Sequence, residues 1–165
     1  YDSWPIDDMI ALGNPNWRSK PPKEVADFVA GGLPDGLHNR DSLTAEFRAG
    51  IVAPYSDEEG KISLIRNASA LNTNHTTALI DRHKEIKAPT LVMTGRQDPA
   101  CTVDQATVLH RMIDGSQLTI IEEAAHLSNI EQPQAFNAAL RSFIDRIDDG
   151  LPPEGTEAAA RGRQT

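Results

Sequence analysis

The chain contains a single cysteine, Cys101, so no disulfide can form within it and nothing in its thiol content implies an oxidising compartment. No Cys/His spacing matches a zinc site, and His38, His75, His83, His110 and His126 are scattered, so no metal is expected. Positive charge is scarce: Lys and Arg total 16 against 24 Asp and Glu, a formal net charge of −8. Polyanions are repelled by that balance, and the few aromatics, 5% of the chain, do not interleave with any basic cluster. Nucleic acid and anionic membrane surfaces are therefore not expected partners. No hydrophobic run approaches the ~20 residues that span a bilayer. An initiator Met and a signal-peptide pattern are also missing at Tyr1. The expectation is a cytoplasmic protein present as a fragment or processed subunit.

What is present describes a globular protein of mixed class, 39% hydrophobic and 24% charged. Residues 1–85 carry helical periodicity broken by turns, with no convincing strand. Pro5 followed by IDDMIAL fits a short helix with acids at its positive end. In KEVADFVAG, Val25, Phe28 and Val29 share a face, with Gly31 and Gly32 as a closing signal. Asp41 or Ser42 is the expected cap of the next helix, with Leu43, Phe47 and Ile51 on one side. A longer pattern from Ser56 to Ile86 reads as one or two further helices, with Ile62, Ile65 and Leu71 in register over 61–71 and Leu79, Ile80 and His83 together over 76–86.

The character changes near residue 86. TLVMT is a short apolar strand, residues 104–113 a helix ending near Gly115, and residues 117–121 a second strand. An amphipathic helix follows Pro133, carrying Phe136, Leu140, Phe143, Ile144 and Ile147. Residues 150–165 read as a flexible tail. The organisation is thus a helical lid over 1–85, part of an α/β core over 86–149, and the tail. Two parallel strands alone leave open apolar edges, so further strands are expected from elsewhere.

The chemistry lies in PTLVMTGRQDPACT, where Asp98 follows the first strand, and QLTIIEEAAHLSNIEQPQAFN, where His126 follows the second. The pattern P-T-L-V-x-x-G-x-x-D followed by A-H-x-x-x-x-E-x-P resembles the C-terminal part of α/β-hydrolase fold enzymes. It is most similar to the group of 3-oxoadipate enol-lactone hydrolases and C–C bond hydrolases, over roughly residues 86–147. The resemblance implies Asp98 as the acid and His126 as the base of a nucleophile–His–Asp triad. Their third partner normally precedes both in the chain, and no G-x-S-x-G elbow occurs in these residues.

The implied function is cofactor-independent hydrolysis of a small-molecule ester, lactone or C–C bond. The nucleophile would come from an N-terminal half present as a separate chain, giving a heterodimer or a higher oligomer of it. The resemblance also permits, as the first alternative, a dehalogenase or epoxide hydrolase with an Asp nucleophile. A non-catalytic binding protein of the same fold is a second alternative, against which the presence of both Asp98 and His126 counts, and a hydroxynitrile lyase is a third and weaker one. Asp2 is a reserve candidate for the acid, because some relatives place it after the preceding strand. Ser3 lacks elbow glycines. Trp4, Trp17 and Tyr55 are candidates for lining the substrate pocket, against an ordinary role in lid packing. Glu131 is read as an acid at the start of the last helix, Glu122 and Glu123 as a solvated edge, and Cys101 as structural.

Overall fold

The computed structural model describes residues 11–71 and 76–150. The expected helix after Pro5, apart from its last residues, and the expected tail lie outside them, as do Asp2, Ser3 and Trp4.

Helices occupy the first part of the chain. A 3₁₀ turn over Pro15–Ser19 leads into α1, Pro22–Gly32, with Pro in its first turn and Glu24 at the positive end of the dipole. Val25 and Ala26 are its buried residues. Gly32 does not close the helix in a left-handed conformation; its φ of −80° is helical and the chain tightens directly into a 3₁₀ turn over Leu33–Gly36. The next helix, α2, is Ala45–Val52, capped by Thr44, whose hydroxyl accepts from the Phe47 amide at 3.1 Å. Asp41 and Ser42, the expected caps, instead sit in a separate 3₁₀ turn over Arg40–Ser42 that ends at Leu43. Helix α3 runs Glu58–Ser69, and the Asp57 carboxylate fixes its start by accepting from Gly60 N–H at 2.8 Å.

Leu12, Val25 and Ala68 form a core among these helices, flanked by Trp17, Phe28, Val29 and Leu64. Lys61 is buried with them. Its ammonium donates to the carbonyls of Arg18 and Lys20 at 3.1 and 3.0 Å and pairs with Glu58 at 2.7 Å. Those partners offset the desolvation that an unpaired cation would suffer there.

Of the stretch over residues 76–86 expected to be helical, Thr76 and Thr77 are in helix, while Ile80–Glu85 forms a 3₁₀ turn. Leu79 and Ile80 are 49% and 41% exposed, so the apolar contacts that would sustain an α-helix are not made. Beyond it, β1 (Leu91–Gly95) and β2 (Gln117–Ile121) pair in parallel from Leu91↔Gln117 to Gly95↔Ile121. Helix α4, Val103–Met112, joins them and packs on both strands. Thr102 and Gln105 close it in a reciprocal capping box, worth about 1 kcal/mol. After β2 come a single helical turn, α5 (Ser128–Glu131), and α6 (Pro133–Asp148), which packs on β2. Among the described residues the sheet has these two strands, and no helix there is long and apolar enough to cross a membrane.

Candidate active site

Parallel pairing in this register brings the C-terminal ends of β1 and β2 side by side, and the loops leaving them are stitched together. Arg96 N–H donates to the Ile121 carbonyl at 2.8 Å and Gln97 N–H to the Ala124 carbonyl at 2.9 Å. The Gln97 side chain accepts from Ala124 N–H at 3.1 Å. This approach requires glycine at position 95: a Cβ there would lie 2.3 Å from the carbonyl oxygens of both Ala124 and Ala125. Glu123 takes the left-handed conformation, φ 52°, at the turn out of β2. Arg96 and Glu122 form an exposed ion pair across the two loops. Hydrogen bonding first, then charge, raises the guanidinium pKa and lowers that of the carboxyl. At that exposure the pair adds little stability.

Asp98 is fixed from both sides. Its Oδ1 accepts the amides of Ala100 and Cys101 at 2.7 and 2.9 Å, closing a turn that the Thr94 hydroxyl braces by donating to the Cys101 carbonyl at 2.5 Å. His126 Nδ1 stands 3.2 Å from Oδ1 and 3.1 Å from Oδ2. A carboxylate can only accept, so Nδ1 carries the proton in this contact. The Asp98 side chain is 5% exposed while that of His126 is 33% exposed. The acid is thus enclosed and the imidazole open on one side. A ring so oriented can take a proton on its other nitrogen and return it, while the carboxylate steadies the cationic form.

Cys101 lies at the edge of this pair. Burial first, then the charge of Asp98, pushes its thiol pKa up, the opposite of what a thiolate nucleophile requires. Donor atoms of Asp98, Cys101 and His126 lie within 4.8 Å of one another and could converge on a soft divalent ion. The carboxylate they would share is engaged with the imidazole and with backbone amides.

Of the candidate pocket residues, Trp17 packs in the helical core, its ring 4.8 Å from that of Phe28 and tilted by 57°. Tyr55 ends the 3₁₀ turn over Ala53–Tyr55, half-buried, where the chain crosses closely over Gly60. Glu131 departs from its sequence reading. Its carboxylate does not serve the start of α6; Oε2 accepts the Ala125 amide and Oε1 the Asn39 amide, each at 2.7 Å. The only sequence sign of this was the A-H-x-x-x-x-E spacing, which does not reveal a partner 92 residues away.

The folded chain is a partial α/β-hydrolase fold: a small parallel sheet with flanking helices and a helical cap. The curated relatives and the solved structures that it resembles all indicate the α/β-hydrolase fold family. No protein-family model matches it. It is 43% identical over 65 residues to 3-oxoadipate enol-lactonase 2 of Acinetobacter baylyi, covering 39% of this chain and 24% of that protein. To a pimeloyl-acyl-carrier-protein methyl ester esterase of Neisseria meningitidis it is 32% identical over 132 residues, 79% of this chain and 48% of the esterase. A solved α/β-hydrolase fold protein from Burkholderia ambifaria superposes with a TM-score of 0.72 at 17% identity, over 84% of this chain and 50% of that one. The chain thus spans about half the length, or less, of these curated relatives. Its similarity to hydrolases supports a hydrolase-type enzyme.

Proposed function

We propose that Asp98 and His126 are the acid and base of a nucleophile–His–Asp triad, in a cofactor-independent hydrolase of a small carboxylic ester or lactone. One observation carries this reading: the His126 Nδ1 contact to both oxygens of an enclosed Asp98, at the C-terminal ends of adjacent parallel strands. That is the edge along which open α/β sheets build their sites. The curated relatives named as an enol-lactonase and a methyl ester esterase support an ester bond as the substrate class.

In this mechanism the nucleophile and the oxyanion-binding amides come from a segment of the protein that carries the remaining strands. The second nitrogen of His126 withdraws the nucleophile's proton as it attacks the substrate carbonyl. The same nitrogen then delivers that proton to the departing alkoxide. Water, deprotonated by the same imidazole, hydrolyses the acyl intermediate and restores the nucleophile. Asp98 keeps the imidazole in the required tautomer throughout.

The test is His126→Ala in the complete protein, assayed on an aryl ester and on a lactone. A loss of kcat on the order of 10⁴–10⁶-fold is expected, with unfolding midpoint nearly unchanged. Retention of more than about a tenth of the activity would remove His126 from the mechanism.

A further inference from the structure

The loop that holds His126 is tied to the cap as well as to the sheet. The His126 amide donates to the Gly36 carbonyl at 3.0 Å, at the end of the 3₁₀ turn over Leu33–Gly36. One residue earlier, the Ala125 amide donates to Glu131 Oε2 at 2.7 Å, and the other oxygen of that carboxylate takes the Asn39 amide of the cap at 2.7 Å. Gly36 is buried, and Ala124 and Ala125 are almost fully enclosed. Nearby, the Gln132 side chain donates to the Glu123 carbonyl at 3.2 Å and secures the other end of the same loop.

Charge-assisted bonds to backbone amides are short and strong, and a carboxylate that spans two amides fixes their separation. The Glu131 side chain is therefore a strut between residues 39 and 125. We propose that Glu131 is a positioning residue that couples the cap loop over residues 36–39 to the catalytic base, so that the cap sets where the His126 imidazole stands. The proposal rests on the reading of His126 as the base. Two consequences follow. A substrate that presses on the cap loop shifts the base through this strut. Substitutions in residues 36–39 alter the chemical step without touching the reacting atoms.

Glu131→Gln tests the strut, because it keeps the shape but replaces one acceptor oxygen by an NH₂ that cannot accept from a backbone amide. In the complete protein, kcat is expected to fall by about tenfold to 10²-fold, since a small misplacement of a catalytic group costs that much, with KM changed far less. The downfield Nδ1 proton resonance of His126 should shift in the ¹H NMR spectrum at a temperature well below unfolding. A merely structural role would not move that resonance. Unchanged kcat and an unchanged resonance would overturn the proposal, as would a loss of activity that only tracks lost stability. If Glu131→Gln does not accumulate as folded protein, Glu131→Asp carries the same test, because it keeps both acceptors but withdraws them by one methylene. His126→Ala, measured beside them, separates the two ideas. If it is inactive while the Glu131 variants behave as wild type, the base stands and the strut falls; if it is active, both fall.

Discussion

Asp98 shows how much of a single side chain's role is set by its hydrogen bonds. With two amides and an imidazole on its carboxylate, it can neither turn away nor accept a different ring orientation. Asp98→Asn preserves that shape but offers an NH₂ to Nδ1, favouring the wrong imidazole tautomer. In the complete protein, under the proposed mechanism, kcat is expected to drop by about 10⁴-fold without loss of fold. Asp2→Asn, tested in the same assay, is expected to cost much less; the opposite ranking would move the acid to the earlier strand. That Asp98 and His126 stand at neighbouring strand ends was legible in the sequence, because each lies in the loop that follows a short apolar strand. Glu131 was not, since the residue that its Oε1 engages is 92 positions away. Lys61 was equally opaque: a charged residue beside an amphipathic stripe reads as surface until the carbonyls of Arg18 and Lys20 are seen to surround it.

Among the elements, the β1–β2 pair decides whether the site exists, and Gly95 decides whether the pair can close at its functional end. Gly95→Ala would drive a Cβ into two backbone carbonyls that belong to the histidine loop and cannot swing aside. A destabilisation of about 3 kcal/mol is expected from overpacking at such a point. Activity should fall further than stability alone explains, because the displaced residues flank His126. Denaturant unfolding of the complete variant, compared with its kcat, checks both parts. The strands and α4 matched their sequence signals, since the apolar patterns and the stop near Gly115 agreed locally. The stretch over residues 76–86 did not: over Ile80–Glu85 it formed a 3₁₀ turn, with Leu79 and Ile80 exposed. Thr44 displaced Asp41 and Ser42 as a cap because a separate turn over Arg40–Ser42 came first.

For the whole molecule, the balance of buried and exposed apolar surface matters most. Leu140, Ile144 and Ile147 of α6 and Val108 of α4 are exposed, and the described sheet consists of two parallel strands. A sheet of that size lacks the buried faces that stabilise parallel pairing. The 165-residue chain, purified by itself, is expected to self-associate or to unfold without a cooperative transition. Co-expression with a segment carrying the remaining strands should restore both. Size-exclusion chromatography and urea unfolding make the comparison, and a monodisperse, cooperatively unfolding isolated chain would contradict it. The sequence by itself determined the order of strand, Asp98, helix, strand and His126, together with the apolar stripes of the main helices. Those follow from side-chain periodicity and turn chemistry, which act over a few residues. Only the tertiary structure decided that Gly95 must accommodate two carbonyls, that Lys61 is a buried pin among the first helices, and that Glu131 bridges the amides of Asn39 and Ala125. Each of these depends on which distant backbone groups come to rest within hydrogen-bond or contact distance, and local patterns in a chain carry no record of that.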